Sequence, residues 1–129
     1  MFNLFTSISE NEARNLSPVT LAFIGDAVYS LYVREKLVLS TDFNTGTLQK
    51  LTSAEVSAHG QSQLLEKLQP LFTQEETDVF KRGRNAKKST RSKNASVAEY
   101  NRSTGFEAVL GYLYLTGQYQ RIAELLSAE

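Results

Sequence analysis

Two stretches of this chain are apolar or small on nearly every helical face, and each is interrupted by a single acid. The first is Ser17-Pro18-Val19-Thr20-Leu21-Ala22-Phe23-Ile24-Gly25-Asp26-Ala27-Val28-Tyr29-Ser30-Leu31-Tyr32-Val33-Arg34. Ser17 is a good N-cap, and Pro18 suits the first helical position, where its missing N–H has no partner to lose. The pattern predicts a helix over about 18–37 that is buried on most sides. Asp26 sits in its middle with no basic residue within a turn, and an unpaired carboxylate in apolar surroundings is costly. Gly25 beside it gives up about 1 kcal/mol of helix propensity relative to Ala. The second stretch is Gly105-Phe106-Glu107-Ala108-Val109-Leu110-Gly111-Tyr112-Leu113-Tyr114-Leu115. Glu107 is its one acid, and Gly111 lies one turn on along the same face.

The remaining periodicity is that of shorter amphipathic helices. Residues 1–16 read as a lead-in, with Phe2, Leu4, Phe5 and Ile8 available for packing and Glu10 to Asn15 polar. Turn residues from Leu39 to Gly46 predict an irregular linker. Leu48, Leu51, Ala54, Val56 and Ala58 mark a helix from Thr47, broken at Gly60, and Leu64, Leu65, Leu68 and Leu71 mark the next, ended by Pro70. Thr73-Gln74-Glu75-Glu76 forms a capping box, opening a helix to about Arg82 with Gly83 as its C-cap. Residues 84–95 have almost nothing to bury and are expected to be a mobile loop. Ser96-Val97-Ala98-Glu99 is a second capping box that opens a helix to about Leu115. A turn at Thr116-Gly117-Gln118 leads to a last helix ending near Ser127. With no strand alternation and no internal repeat, the expected fold is all-α, one domain over residues 1–129.

Composition restricts the chemistry. The chain has no cysteine, which excludes disulfides and thiolate metal sites and favours an intracellular setting. Met1 to Asn15 lack a signal-peptide pattern, and the apolar run around Asp26 is too short to span a bilayer. A soluble, cytoplasmic protein is expected. Net charge is zero, with fourteen basic and fourteen acidic residues. Seven of the basic ones, Lys81, Arg82, Arg84, Lys87, Lys88, Arg91 and Lys93, fall within 81–93, where there is no acid. An otherwise acidic protein with one concentrated basic segment points to a local anionic partner.

The two central helices share a design, a lone carboxylate beside a glycine that permits close backbone approach. If they cross at Gly25 and Gly111, Asp26 and Glu107 converge. Two carboxylates in one site do not both ionise comfortably without a cation between them, and oxygen donors with retained waters suit Mg²⁺ or Mn²⁺. Such a metal activates water and stabilises charge on a phosphodiester. The alternative is that each acid is capped by a neighbour such as Arg102, Arg34 or His59. His59, the one histidine, reads as a surface or capping residue. Tyr29, Tyr32, Tyr112 and Tyr114 recur at helical spacing and read as core or dimer-interface packing.

Leu21-Ala22-Phe23-Ile24-Gly25-Asp26-Ala27-Val28 resembles the signature stretch of the ribonuclease III catalytic domain, and Phe106-Glu107-Ala108-Val109-Leu110-Gly111 resembles that family's second catalytic segment. Arg82-Gly83-Arg84-Asn85-Ala86 and Tyr100-Asn101-Arg102-Ser103-Thr104 are similar to segments of the Mini-III subgroup, a catalytic domain with no appended double-stranded-RNA-binding domain. The resemblance covers essentially the whole chain. It implies an all-α, homodimeric endoribonuclease that uses Mg²⁺, with Mn²⁺ able to substitute, to hydrolyse double-stranded RNA to 5′-phosphate and 3′-hydroxyl ends. The implied substrate is the paired stem of the large-subunit (23S) ribosomal RNA precursor. Asp26 and Glu107 fall on the catalytic, metal-binding acids. Larger ribonuclease III enzymes carry further acids where this chain has Ala22 and Thr104, a reduction shared by Mini-III.

Duplex RNA is gripped mostly by shape, through phosphates and 2′-hydroxyls, and binding that neutralises phosphates weakens steeply with salt. The expected RNA contacts are Lys81, Arg82, Arg84, Asn85, Lys87, Lys88, Arg91 and Lys93. The competing expectation is a non-catalytic RNA-binding or ribosome-assembly module on the same fold.

Overall fold

The computed structural model describes residues 6–88 and 96–128, and all regular structure among them is helical. The order is α1 (Glu10–Arg14), α2 (Pro18–Ser40), α3 (Thr45–Val56), α4 (Ala58–Leu68), α5 (Gln74–Asn85), α6 (Val97–Leu115) and α7 (Tyr119–Leu126), with a short 3₁₀ turn at Gln69–Leu71 between α4 and α5. The all-α expectation holds. Phe2, Leu4 and Phe5 lie outside the described residues, while Ile8 packs on the core and its N–H donates to the Leu115 carbonyl at 2.9 Å.

The bundle is built around α6, against which α2, α5, α4, α7 and α1 all pack. From Ser103 to Leu113 every α6 residue except Glu107 is buried. The α2–α6 crossing is a backbone contact. A Cβ on Gly25 would stand 1.7 Å from the Glu107 carbonyl oxygen, and one on Gly111 would stand 1.9 Å from that of Leu21. The two glycines are therefore what allows the axes to close. Tyr29 of α2 meets the edge of Phe106 of α6 at a centroid distance of 5.3 Å, which fixes the rotation of one helix on the other. The tyrosines pack as expected: Tyr29 and Tyr112 are fully buried, the Tyr112 hydroxyl donates to Glu75, and Tyr114 lies against Tyr119.

Helix boundaries and caps differ from the sequence expectations in several places, and α2 runs on to Ser40, into the expected linker. Residues 10–14 form α1 rather than a lead-in, because Ser9 and Glu12 make a reciprocal capping box. Gly46 belongs to α3, which starts earlier because Asn44 accepts from the Thr47 N–H at 2.9 Å. The break between α3 and α4 is at Ser57, not Gly60. Ser57 Oγ accepts from the Gly60 N–H and donates to the Ala54 carbonyl, so one residue ends α3 and starts α4. Gly83 lies inside α5, where a Cβ would crowd Gly105 Cα at 2.9 Å, and the helix continues through Arg84 and Asn85. The Ser96 box is half-formed: Ser96 caps the Glu99 N–H, but the Glu99 carboxylate turns to His59 Nδ1 at 2.6 Å.

A larger difference concerns α2, which is not buried on most sides. Its exposed face carries Val19, Phe23, Asp26, Ala27, Leu31 and Val38, and Phe23 is 82 % exposed. Among the described residues nothing packs over this face.

Candidate active site

The crossing that Gly25 and Gly111 permit brings Asp26 and Glu107 within interaction range at the mouth of an open pocket of about 440 Å³. Residues from four sources line it: Val19, Ala22, Phe23 and Asp26 from α2; Val56, Ser57, Ala58 and Gln61 from the α3–α4 elbow; Tyr100, Ser103, Thr104 and Glu107 from α6; and Lys88 from beyond α5. Ala22 and Thr104, the positions where larger enzymes of the resembled family carry acids, both face this pocket.

The two acids sit differently. Asp26 is exposed on α2, whereas Glu107 is largely enclosed on α6. Burial pushes the Glu107 carboxyl up to about 8; the hydrogen bond from Gln61 opposes that rise, and the neighbouring Asp26 carboxylate adds to it. At neutral pH the pair therefore holds a proton that a cation would displace. Arg102, Arg34 and His59 do not cap these acids. Arg34 donates to Ser30 and His59 pairs with Glu99, while Glu107 accepts from an amide and, in its protonated form, donates to Asp26.

That amide is Gln61, which the sequence pattern does not bring forward as a site residue. Gln61 is only 2 % exposed, and its Nε2 donates to the Val56 carbonyl at 2.9 Å and to Glu107 Oε2 at 3.1 Å. Its Oε1 is buried with no partner, a situation that ordinarily costs about 1–3 kcal/mol. The available signal is its spacing: Gln61 lies on the same face as Leu64, Leu65 and Leu68, so a polar side chain interrupts an apolar stripe.

Among the described residues no group of three His, Cys, Asp or Glu side chains gathers anywhere, so the donor set here is the carboxylate pair. Two hard oxygen donors in an open pocket fit a divalent cation that keeps most of its waters, and do not fit a soft metal. Asp26 and Glu107 would hold such an ion.

The basic segment is divided between two faces. Lys88 lines the pocket, its Nζ donating to the Gly83 and Arg84 carbonyls at 2.8 and 3.0 Å, and desolvation lowers its pKa. Arg82 instead reaches the Leu16 carbonyl at 3.4 Å, and Arg84 lies over the Phe80 ring. Lys81, Asn85 and Lys87 are exposed. Arg91 and Lys93 lie outside the described residues, as does most of the expected loop.

Comparison with known proteins identifies the family and agrees with the fold. Residues 19–118 match the ribonuclease III domain family. A Mini-ribonuclease 3 from Thermoanaerobacter is 46 % identical over 112 residues, covering 87 % of this chain and 79 % of that protein. The Staphylococcus aureus Mini-ribonuclease 3 is 44 % identical over 120 residues, covering 92 % and 90 %. A crystal structure of a Fusobacterium nucleatum protein superposes with a TM-score of 0.79 at 32 % identity, covering 88 % of this chain and 91 % of that one. The chain belongs to the ribonuclease III domain family, in its Mini-ribonuclease 3 branch, and is an endoribonuclease acting on double-stranded RNA.

Proposed function

We propose that this endoribonuclease is Mg²⁺-dependent, with Asp26 and Glu107 as its catalytic, metal-holding acids, and that it matures the paired stem of the 23S ribosomal RNA precursor in the cytoplasm. The observation that carries the proposal is the pairing of one exposed and one enclosed carboxyl at the mouth of a pocket, across a glycine-to-glycine helix crossing. When bound, Mg²⁺ (or Mn²⁺ in its place) supplies an acidified water and charge stabilisation at the phosphodiester. Asp26, at the open side, is the acid that meets a backbone lying across the pocket. Glu107, held from behind by Gln61, is kept at a fixed place beneath it. Lys88 sets a positive charge at the pocket rim, where phosphate passes.

The same catalytic unit supplies the grip on the duplex, through Lys81, Arg82, Arg84, Asn85, Lys87, Lys88, Arg91 and Lys93. The working form is a homodimer. Supporting it, the uncovered face of α2 presents Val19, Phe23 and Leu31 beside the pocket, and exposed large apolar groups gathered on one face mark interaction surfaces. The family membership makes a non-catalytic module the weaker reading.

The test is incubation with labelled duplex RNA, with and without Mg²⁺. Wild type shortens the duplex only with Mg²⁺; Asp26→Asn, which keeps shape and removes charge, loses cleavage and still retards the RNA in a gel. An Asp26→Asn enzyme with full activity would sink the assignment. Replacing Lys81, Lys87 and Lys88 by Ala weakens binding and flattens its salt dependence; an unchanged slope removes the segment from the RNA contact.

A further inference from the structure

We infer that Gln61 is a positioning residue for cleavage, holding the Glu107 carboxylate in its working orientation and tying the pocket wall to it. The inference rests on the reading of Asp26 and Glu107 as the working acids. A side-chain amide has two N–H donors and one carbonyl acceptor. Both Gln61 contacts are donations from Nε2, at 2.9 Å to the Val56 carbonyl and 3.1 Å to Glu107 Oε2. Turning the amide over would set its oxygen against two acceptors. Its orientation is therefore decided by its partners, and the price is an Oε1 buried without one.

A leucine would suit this position if the fold alone mattered, since Leu64, Leu65 and Leu68 continue the same face. The amide is present despite its orphaned oxygen, and only two contacts account for it. The Val56 carbonyl is the last of α3 and has no partner within its own helix. Just beyond it the chain turns at Ser57, and Gly60 backs so closely on α3 that a Cβ would stand 2.5 Å from the Ala54 carbonyl oxygen. This elbow, Val56-Ser57-Ala58, is one wall of the pocket. Gln61 thus joins the wall to Glu107 through a single planar group. With Oε2 anchored from behind and Asp26 on the other side, the Glu107 carboxyl loses the freedom of its terminal torsion. Outer-shell hydrogen bonds of this kind orient ligating side chains, and their removal typically costs 10–100-fold in metal affinity or activity.

The test compares wild type, Gln61→Leu and Asp26→Asn. Gln61→Leu is expected to lower kcat on duplex RNA about tenfold or more with KM for the RNA within about twofold, and to weaken Mn²⁺ binding without RNA, measured by calorimetry, by about tenfold. Its Tm should not fall, because the orphaned oxygen is gone. A wild-type value of either kcat or Mn²⁺ affinity in Gln61→Leu would overturn the positioning role. If that variant does not fold, Gln61→Met, flexible and of similar length, carries the same two readouts, judged in the same way. Asp26→Asn separates the levels. An active Asp26→Asn enzyme removes the carboxylate reading itself, whereas an inactive one beside a normal Gln61→Leu enzyme removes only the role of Gln61.

Discussion

Helices α2 and α6 look alike as sequence and behave differently as structure. The central stretch of each is apolar nearly all round around a single acid, and each carries a glycine at the crossing. Yet α6 is enclosed by five neighbours, while α2 keeps a face with Phe23 82 % exposed. The difference passes to the acids: Glu107 is held up to about 8 by burial, and Asp26 stands in solvent. Apolarity on all sides states that a helix will be covered. It does not state whether the same chain provides the cover.

The crossing is what the two helices share, and substitutions there should have the largest effect. Gly25→Ala or Gly111→Ala drives a methyl into a backbone carbonyl that neither helix can move without opening the core. Either variant should lose at least about 3 kcal/mol of stability, read as a Tm fall of about 10 °C or more. Gly46→Ala is the internal control: its Cβ meets only Asn44 Oδ1 at 3.4 Å, and Ala is the better helix former. Its Tm should hold or rise. Equal losses at all three glycines would mean that propensity, not approach, explains Gly25 and Gly111.

The exposed face of α2 gives the next test. If a second copy covers it, Phe23→Asp places a charge at the centre of a desolvated contact, where single substitutions often cost about 2 kcal/mol or more. Analytical ultracentrifugation should then show a dimer for wild type and a shift of about thirtyfold or more in Kd for Phe23→Asp, with helical content unchanged. A wild-type chain that sediments as a monomer at every concentration would leave the face unexplained and α2 different from α6 in kind.

Much of this is legible in the residues. The convergence of Asp26 and Glu107 follows from the matched glycines, since helices that touch backbone to backbone carry adjacent side chains together. The Thr73 capping box and the Gly117 turn, with φ of +75°, follow from local chemistry. What the residues conceal is of two kinds. Short local signals are ambiguous: the Ser9 box opens a helix of five residues, too short to show periodicity, and the Ser96 box looks complete until His59, remote in sequence, captures Glu99. Contacts between helices leave no local trace, which is why Gly83 resembles a cap although it makes space for Gly105, and why Gln61 does not stand out.

The last effect is at the acids themselves, and it shows only as pH changes. The native pKa of Glu107, about 8, lies above its ordinary 4.5, so the folded state holds that proton more tightly than the unfolded chain. The stability this contributes is complete below about 4.5 and is lost as pH rises through 8. Glu107→Gln mimics the protonated form and keeps an acceptor for Gln61, so without metal it should match wild type near pH 4.5. It should be more stable than wild type at pH 8, seen as a Tm gap that widens with pH. Asp26→Asn, on the exposed side, should change stability by less than about 0.5 kcal/mol at either pH. Adding Mg²⁺ should raise the Tm of wild type at pH 8 and close the gap, because a ligand that binds only the folded state adds stability that grows with its concentration relative to Kd. Glu107→Gln should not respond. A gap of the same size at both pH values would show that the substitution acts through packing, and that the proton is not what distinguishes the enclosed acid from the exposed one.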